Sequence, residues 1–185
     1  MEDRELIRRI QNGQTEYLNE IASKYYDDIY YFCCYQTGSR DASYDLAQET
    51  FLRFIKYVDH YRYRNLKGYL LTIAMNLCRE YMRRLSQIHA VETSADYLEQ
   101  EGFGMTRAHT ACTDQTADAE NSLLLLRALA ALPEFQREAV LLHHFYGYKN
   151  REIARMTGAS YDAVKSRIRQ GLSKLNELLK QSDFH

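Results

Sequence analysis

Apolar residues recur at spacings of three and four through most of this chain, and a single proline, Pro133, interrupts the pattern. That periodicity selects amphipathic helices over strands, which would need strict alternation. Residues 3–36 read as one or two helices carrying Leu6, Ile7 and Ile10, then Tyr17, Leu18, Ile21 and Tyr25, then Ile29, Phe32 and Cys33. Asn12-Gly13 marks a break within them, and Thr37-Gly38-Ser39 marks a second. Residues 41–58 repeat the pattern through Leu46, Ala47, Thr50, Phe51, Phe54, Ile55 and Val58. Residues 66–85 do so through Leu66, Leu70, Ile73, Ala74, Leu77, Tyr81 and Leu85. From Ser86 to Ser122 the period is lost in a stretch rich in Ser, Thr, Ala, Gly and acidic residues, which reads as a linker. A helix follows over 123–131, and Pro133 is expected just inside the start of the next. The expected fold is all-α: a helical domain over 1–85, an acidic linker over 86–122, and a second helical domain over 123–185.

Charge is blocked rather than evenly mixed. The whole chain sums to −1, which taken alone would discourage a nucleic-acid reading. Yet residues 53–84 hold 8 basic and 2 acidic side chains, net +6, and residues 137–185 hold 9 and 5, net +4. The acidic excess lies elsewhere, at −5 over 1–52 and −6 over 85–122, so a polyanion partner stays open. No apolar run approaches the roughly 18 residues a membrane span needs, and MEDRELIRRI lacks the apolar core of a signal peptide. Cys33, Cys34, Cys78 and Cys112 show no metal-ligand spacing, which suits a reducing, cytoplasmic setting. His143 and His144 are adjacent rather than on one helical face, and no phosphate loop or nucleophile–base set stands out. Neither an enzyme nor a cofactor is expected.

Two segments carry the chemistry. In NREIARMTGASYDAVKSRIR, from Asn150 to Arg169, Ile153 is apolar, Ala154 permits a close helix crossing, Gly158 suits a left-handed turn, and Ser160 suits an N-cap. Val164, Ile168, Leu172, Leu175 and Leu179 give the following helix a core stripe. Asp162, Lys165, Ser166, Arg169 and Ser173 lie opposite, with Arg167 on the flank. This is the layout of a helix-turn-helix whose second helix reads a major groove. A plain αα-hairpin with a solvated basic face is the alternative. The second segment, HYRYRN from His60 to Asn65, leads into a helix whose polar stripe is Thr72, Asn76, Arg79 and Arg83.

Together these segments resemble the sigma factors of RNA polymerase, of the small extracytoplasmic-function type. The resemblance is carried by YYDDIYYF, DLAQETFLRFIKYV and LKGYLLTIAMNLCREYMRR in the first half. In the second half it is carried by ALAALPEFQREAVLLHHFYGYKNREIARMTGASYDAVKSRIRQGLSKLNELL. It implies that Asp45, Gln48, Glu49 and Leu52 face the core polymerase. It implies that Tyr61, Arg62, Tyr63, Arg64, Lys67, Asn76, Arg79 and Arg83 read the promoter −10 element as it melts. Tyr69 stands where family members commonly carry Trp. In the helix-turn-helix, Lys165, Ser166 and Arg169 would meet base edges of the −35 element, with Arg151 and Arg167 on phosphates. The implied partners are core RNA polymerase, promoter DNA and an anti-sigma factor. The rival from another class is a dimeric helix-turn-helix regulator of duplex operators, which would leave residues 61–84 unused.

Overall fold

The structure, a computed structural model, describes residues 2–62, 64–93 and 119–182. The first helix, α1 (Asp3–Gln11), places Asp3 and Glu5 in its first turn and Arg8 and Arg9 in its last, each complementing the helix dipole. It buries Leu6, Ile7 and Ile10 and stops at Gly13, whose φ of 88° is left-handed. A 3-10 turn, Thr15–Tyr17, leads into α2 (Leu18–Thr37). Helix α3 (Arg40–Tyr57) is capped by Ser39, whose hydroxyl accepts the Ala42 N–H at 3.3 Å. Helix α4 (Leu66–Thr93) starts at Asn65, whose Oδ1 accepts the Gly68 N–H at 3.0 Å, a cap the periodicity did not show. These helices close around Ile21, Ile29, Phe32, Phe54, Leu70 and Leu71, all fully buried.

The second half comprises α5 (Ala119–Ala130), α6 (Glu134–Val140) with a π-turn over Leu141–Phe145, α7 (Asn150–Thr157) and α8 (Tyr161–Ser182). Pro133 sits at the N-cap with extended ψ of 143°, one position earlier than expected. The expected linker boundaries also move, because α4 continues past residue 85 to Thr93 and α5 begins at Ala119. The middle of the acidic segment, residues 94–118, and with it Cys112, lies outside the described residues.

The two halves share one continuous apolar core running from Leu6 to Leu175. Helix α4 explains how. Beyond its expected stripe it buries Leu71, Met75 and Cys78, so more than one of its faces is covered. Tyr146, just after the π-turn, sets its ring edge-on to Phe32 at 5.7 Å and donates its hydroxyl to the Asp28 carbonyl at 2.7 Å.

Candidate nucleic-acid interface

Local chemistry builds the helix-turn-helix. The Lys149 N–H, ahead of α7, is satisfied by the Glu152 carboxylate at 2.8 Å. Gly158 ends α7 at φ 69°, and Ser160 caps α8 by accepting the Ala163 N–H at 3.2 Å. Val164, Ile168 and Leu175 then face the core. Leu172, expected on that stripe, is instead 37% exposed, and Gly171 takes the buried position. The reason is packing distance: a Cβ at 171 would lie 2.7 Å from Val140 Cγ2, so only glycine admits α6 that close. On the outer face Lys165 and Arg169 are exposed, and Ser166 is half-buried, accepting a hydrogen bond from Gln170 at 3.3 Å. Arg151 is exposed on the first turn of α7. Arg167 is half-buried, its guanidinium 4.8 Å from the centroid of the Phe135 ring.

The basic-aromatic link is pinned from a distance. Gln11 donates to the carbonyls of Val58 at 2.8 Å and Tyr61 at 2.9 Å, a contact between residues about fifty positions apart that no local pattern announces. The Tyr61 ring packs against Tyr69 at 4.7 Å and edge-on to Phe54 at 6.4 Å. Beside them opens a cleft of about 640 Å³, walled by Tyr57, Tyr61, Arg62, Arg64 and Tyr69. Its far wall comes from the second half of the chain: Tyr148, Glu152, Arg155 and Met156. Arg62 and Arg64 are exposed and form no ion pair among the described residues. Tyr63 lies outside the described residues.

Two expected DNA-facing cations are engaged within the protein. Lys67 pairs with Asp28 at 2.8 Å and sits 5.4 Å from the centroid of Tyr146. Arg79 grips Glu138 of α6 through two bonds, Nε to Oε1 at 2.6 Å and Nη2 to Oε2 at 2.5 Å. Asn76 and Arg83, on either side of Arg79 along the stripe, are exposed. Burial drives the Glu138 carboxyl above its ordinary range, against the pull of Arg79, while the carboxylate holds the guanidinium proton more tightly.

On α3, Asp45 and Gln48 are exposed, and Leu52 is 61% exposed. Glu49 is half-buried and pairs with Arg53 at 2.8 Å. Ile55, expected in the core, is 41% exposed and joins Tyr44 and Tyr57 among the exposed apolar side chains of this helix. The 3–4 pattern misplaced Ile55 because Phe54 and Val58 already meet the core and the stripe is narrower than the run of apolar residues.

Residues 21–88 match the family model for sigma-70 region 2, and residues 122–175 match that for sigma-70 region 4. The chain is 32% identical over 145 residues to the ECF RNA polymerase sigma factor EcfG of Rhodopseudomonas palustris, covering 77% of this chain and 74% of that one. It is 27% identical over 177 residues to the ECF RNA polymerase sigma factor BldN of Streptomyces coelicolor, covering 95% of this chain but only 65% of that protein's length. It is 28% identical over 162 residues to the ECF RNA polymerase sigma factor SigM of Bacillus subtilis, covering 85% and 94%. Among solved structures, the fold resembles CnrH in complex with the cytosolic domain of CnrY, with a TM-score of 0.70 at 18% identity over 97% of both chains. It also resembles the sigma factor RpoE of Bartonella quintana in complex with the anti-sigma factor NepR, with a TM-score of 0.67 at 23% identity over 88% of this chain and 96% of that one.

Proposed function

The chain belongs to the sigma-70 family of RNA polymerase sigma factors, in its extracytoplasmic-function class, and from that premise we propose that it binds core RNA polymerase and directs it to promoters. The observation that carries the proposal is the pairing, in one chain, of a capped helix-turn-helix with exposed Lys165 and Arg169 and an aromatic, arginine-lined cleft ahead of the α4 polar stripe. A duplex-only regulator needs the first and has no use for the second.

Each surface has a physical role in this reading. Asp45, Gln48, Glu49 and Leu52 dock on the polymerase, with Ile55 and Tyr44 adding apolar area that a purely solvated face would not need. Tyr61, Arg62, Tyr63 and Arg64 take the −10 strand as it melts: aromatic faces replace lost base stacking, at about 1–3 kcal/mol per base, and the arginines meet phosphates. Asn76 and Arg83 extend that track along α4, with Lys67 and Arg79 joining once freed from their intramolecular partners. Lys165, Ser166 and Arg169 read the −35 duplex in the major groove, with Arg151 and Arg167 on its phosphates. The protein acts by binding rather than by catalysis and works in the cytoplasm beside the polymerase. An anti-sigma partner is proposed too, because RpoE of Bartonella quintana was solved with one.

The test is reconstitution. The chain mixed with core polymerase should co-elute with it and support run-off transcription from a defined subset of genomic fragments. A chain that shifts duplex DNA as a dimer, and leaves core polymerase inactive, would favour the operator-binding alternative.

A further inference from the structure

Glu138, on α6, is 2% exposed, yet its carboxylate points out of the second half of the chain and onto α4. Its partner, Arg79, is one of the two cations of the outward stripe and lies between the exposed Asn76 and Arg83. Phe135, one helical turn before Glu138, adds a second contact: its ring lies 5.3 Å from the Arg79 guanidinium and 4.8 Å from that of Arg167. One turn of α6 therefore gathers a cation from each surface proposed to touch DNA.

The same docking also walls the aromatic cleft. Helix α7 and the turn before it bring Tyr148, Glu152, Arg155 and Met156 against the cleft that Tyr61 and Tyr69 open. Gly68 lies close beneath this wall: a Cβ there would sit 3.3 Å from the Tyr148 hydroxyl, tighter than an ordinary contact.

We propose that the C-terminal half is latched onto the DNA-facing side of the N-terminal half in the free chain, so that interdomain docking and capture of a melted promoter strand compete for Arg79 and for the cleft. The proposal rests on the function given above and adds its regulation.

The latch is built to release. Arg137, 5% exposed at the junction, donates to the carbonyls of Gln36 and Leu132 and meets no carboxylate at ion-pair distance among the described residues. Its Nε and the Gln36 amide nitrogen have no hydrogen-bond partner there. A buried cation with a donor left over opposes docking. The Arg79–Glu138 pair, the Tyr146–Asp28 hydrogen bond and the ring contacts hold the halves together against that cost. A phosphate that takes Arg79 removes one of those holds, and the stranded Glu138 then adds to the cost.

The experiment uses the full chain without polymerase. Glu138→Gln removes the charge that holds Arg79 and leaves every DNA-facing residue in place. Two readings are taken: the radius of gyration by small-angle scattering, and anisotropy with a labelled, short, mixed-sequence single-stranded DNA. The variant should expand, and its affinity should rise by about fivefold or more, because apparent affinity scales with the open fraction. Tyr146→Phe removes a different hold, remote from Arg79, and should move both readings the same way by less; it also serves if the first variant does not fold. Unchanged dimensions or unchanged single-strand affinity in the folded variants overturns the latch. Run-off transcription by the unaltered chain with core polymerase judges the sigma reading separately, so the two can fail independently.

Discussion

Replacing Gly171 by alanine tests how closely helix α8 is held against α6. In a helix interior the change should stabilise by about 1 kcal/mol, since alanine restricts the unfolded chain and favours the helix. Here the new Cβ would sit 2.7 Å from Val140 Cγ2, about 1 Å inside the usual 3.5–4.0 Å carbon–carbon separation. Val140 is 1% exposed and β-branched, so its methyl leaves one strongly preferred helical rotamer if it moves. Overpacking of this kind costs about 1–3 kcal/mol. The two effects leave a net destabilisation of about 1 kcal/mol, with an upper end near 2 kcal/mol. Urea denaturation of the full chain, followed by circular dichroism and extrapolated linearly, resolves a change of that size. The decisive arm is a cycle with Val140→Ala. Once Cγ2 is gone the same substitution should stabilise, so the two changes couple by at least about 1 kcal/mol. If Gly171→Ala alone stabilises the protein by the full helix-propensity amount, the close α6–α8 approach is refuted, and with it the account of why Leu172 is turned outward.

Other outcomes follow from the same geometry. Ser160→Ala removes the α8 cap and should cost about 0.5–2 kcal/mol in the same denaturation assay. Gly158→Ala meets no neighbour within 4 Å but keeps a φ of 69°, so it should cost about 1–2 kcal/mol from backbone strain alone. Replacing Lys165 and Arg169 by alanine should weaken −35 binding by about 1–3 kcal/mol per lost base contact and relax preference at those base pairs, as read by competition with single-base variants of the site. Burial raises the Glu138 pKa, so the folded chain takes up that proton at a higher pH than the unfolded chain does. Between those two values the folded state holds more protons, and stability declines as pH rises through the window. Glu138→Gln should remove that decline, and a stability–pH slope identical in both proteins would contradict the assignment.

Several features of the chain were legible because they are local. Glycine at 13, 38 and 158 in the left-handed region ends three helices where the breaks were expected, and Ser160 caps α8 through a bond three residues long. The 3–4 stripes located the helices because burial of one face is written into a few consecutive turns. The length of α4 was not legible: the chain between residues 86 and 93 is polar enough to read as linker, yet it continues a helix already nucleated.

What the sequence alone determined is therefore an all-α chain with a helix-turn-helix, a basic-aromatic segment and outward polar faces. Only the tertiary structure decided what those faces meet. Periodicity shows that Arg79, Lys67 and Arg167 avoid the core of their own helices, but not that Glu138, Asp28 and Phe135 take them up. Arg79 and Glu138 are 59 positions apart, and Gln11 reaches carbonyls 47 and 50 positions away. A helical repeat encodes contacts within about four residues. Pairings across such distances depend on how the helices cross and on how near each other they can come, and at Gly171 the absence of a single carbon sets that distance.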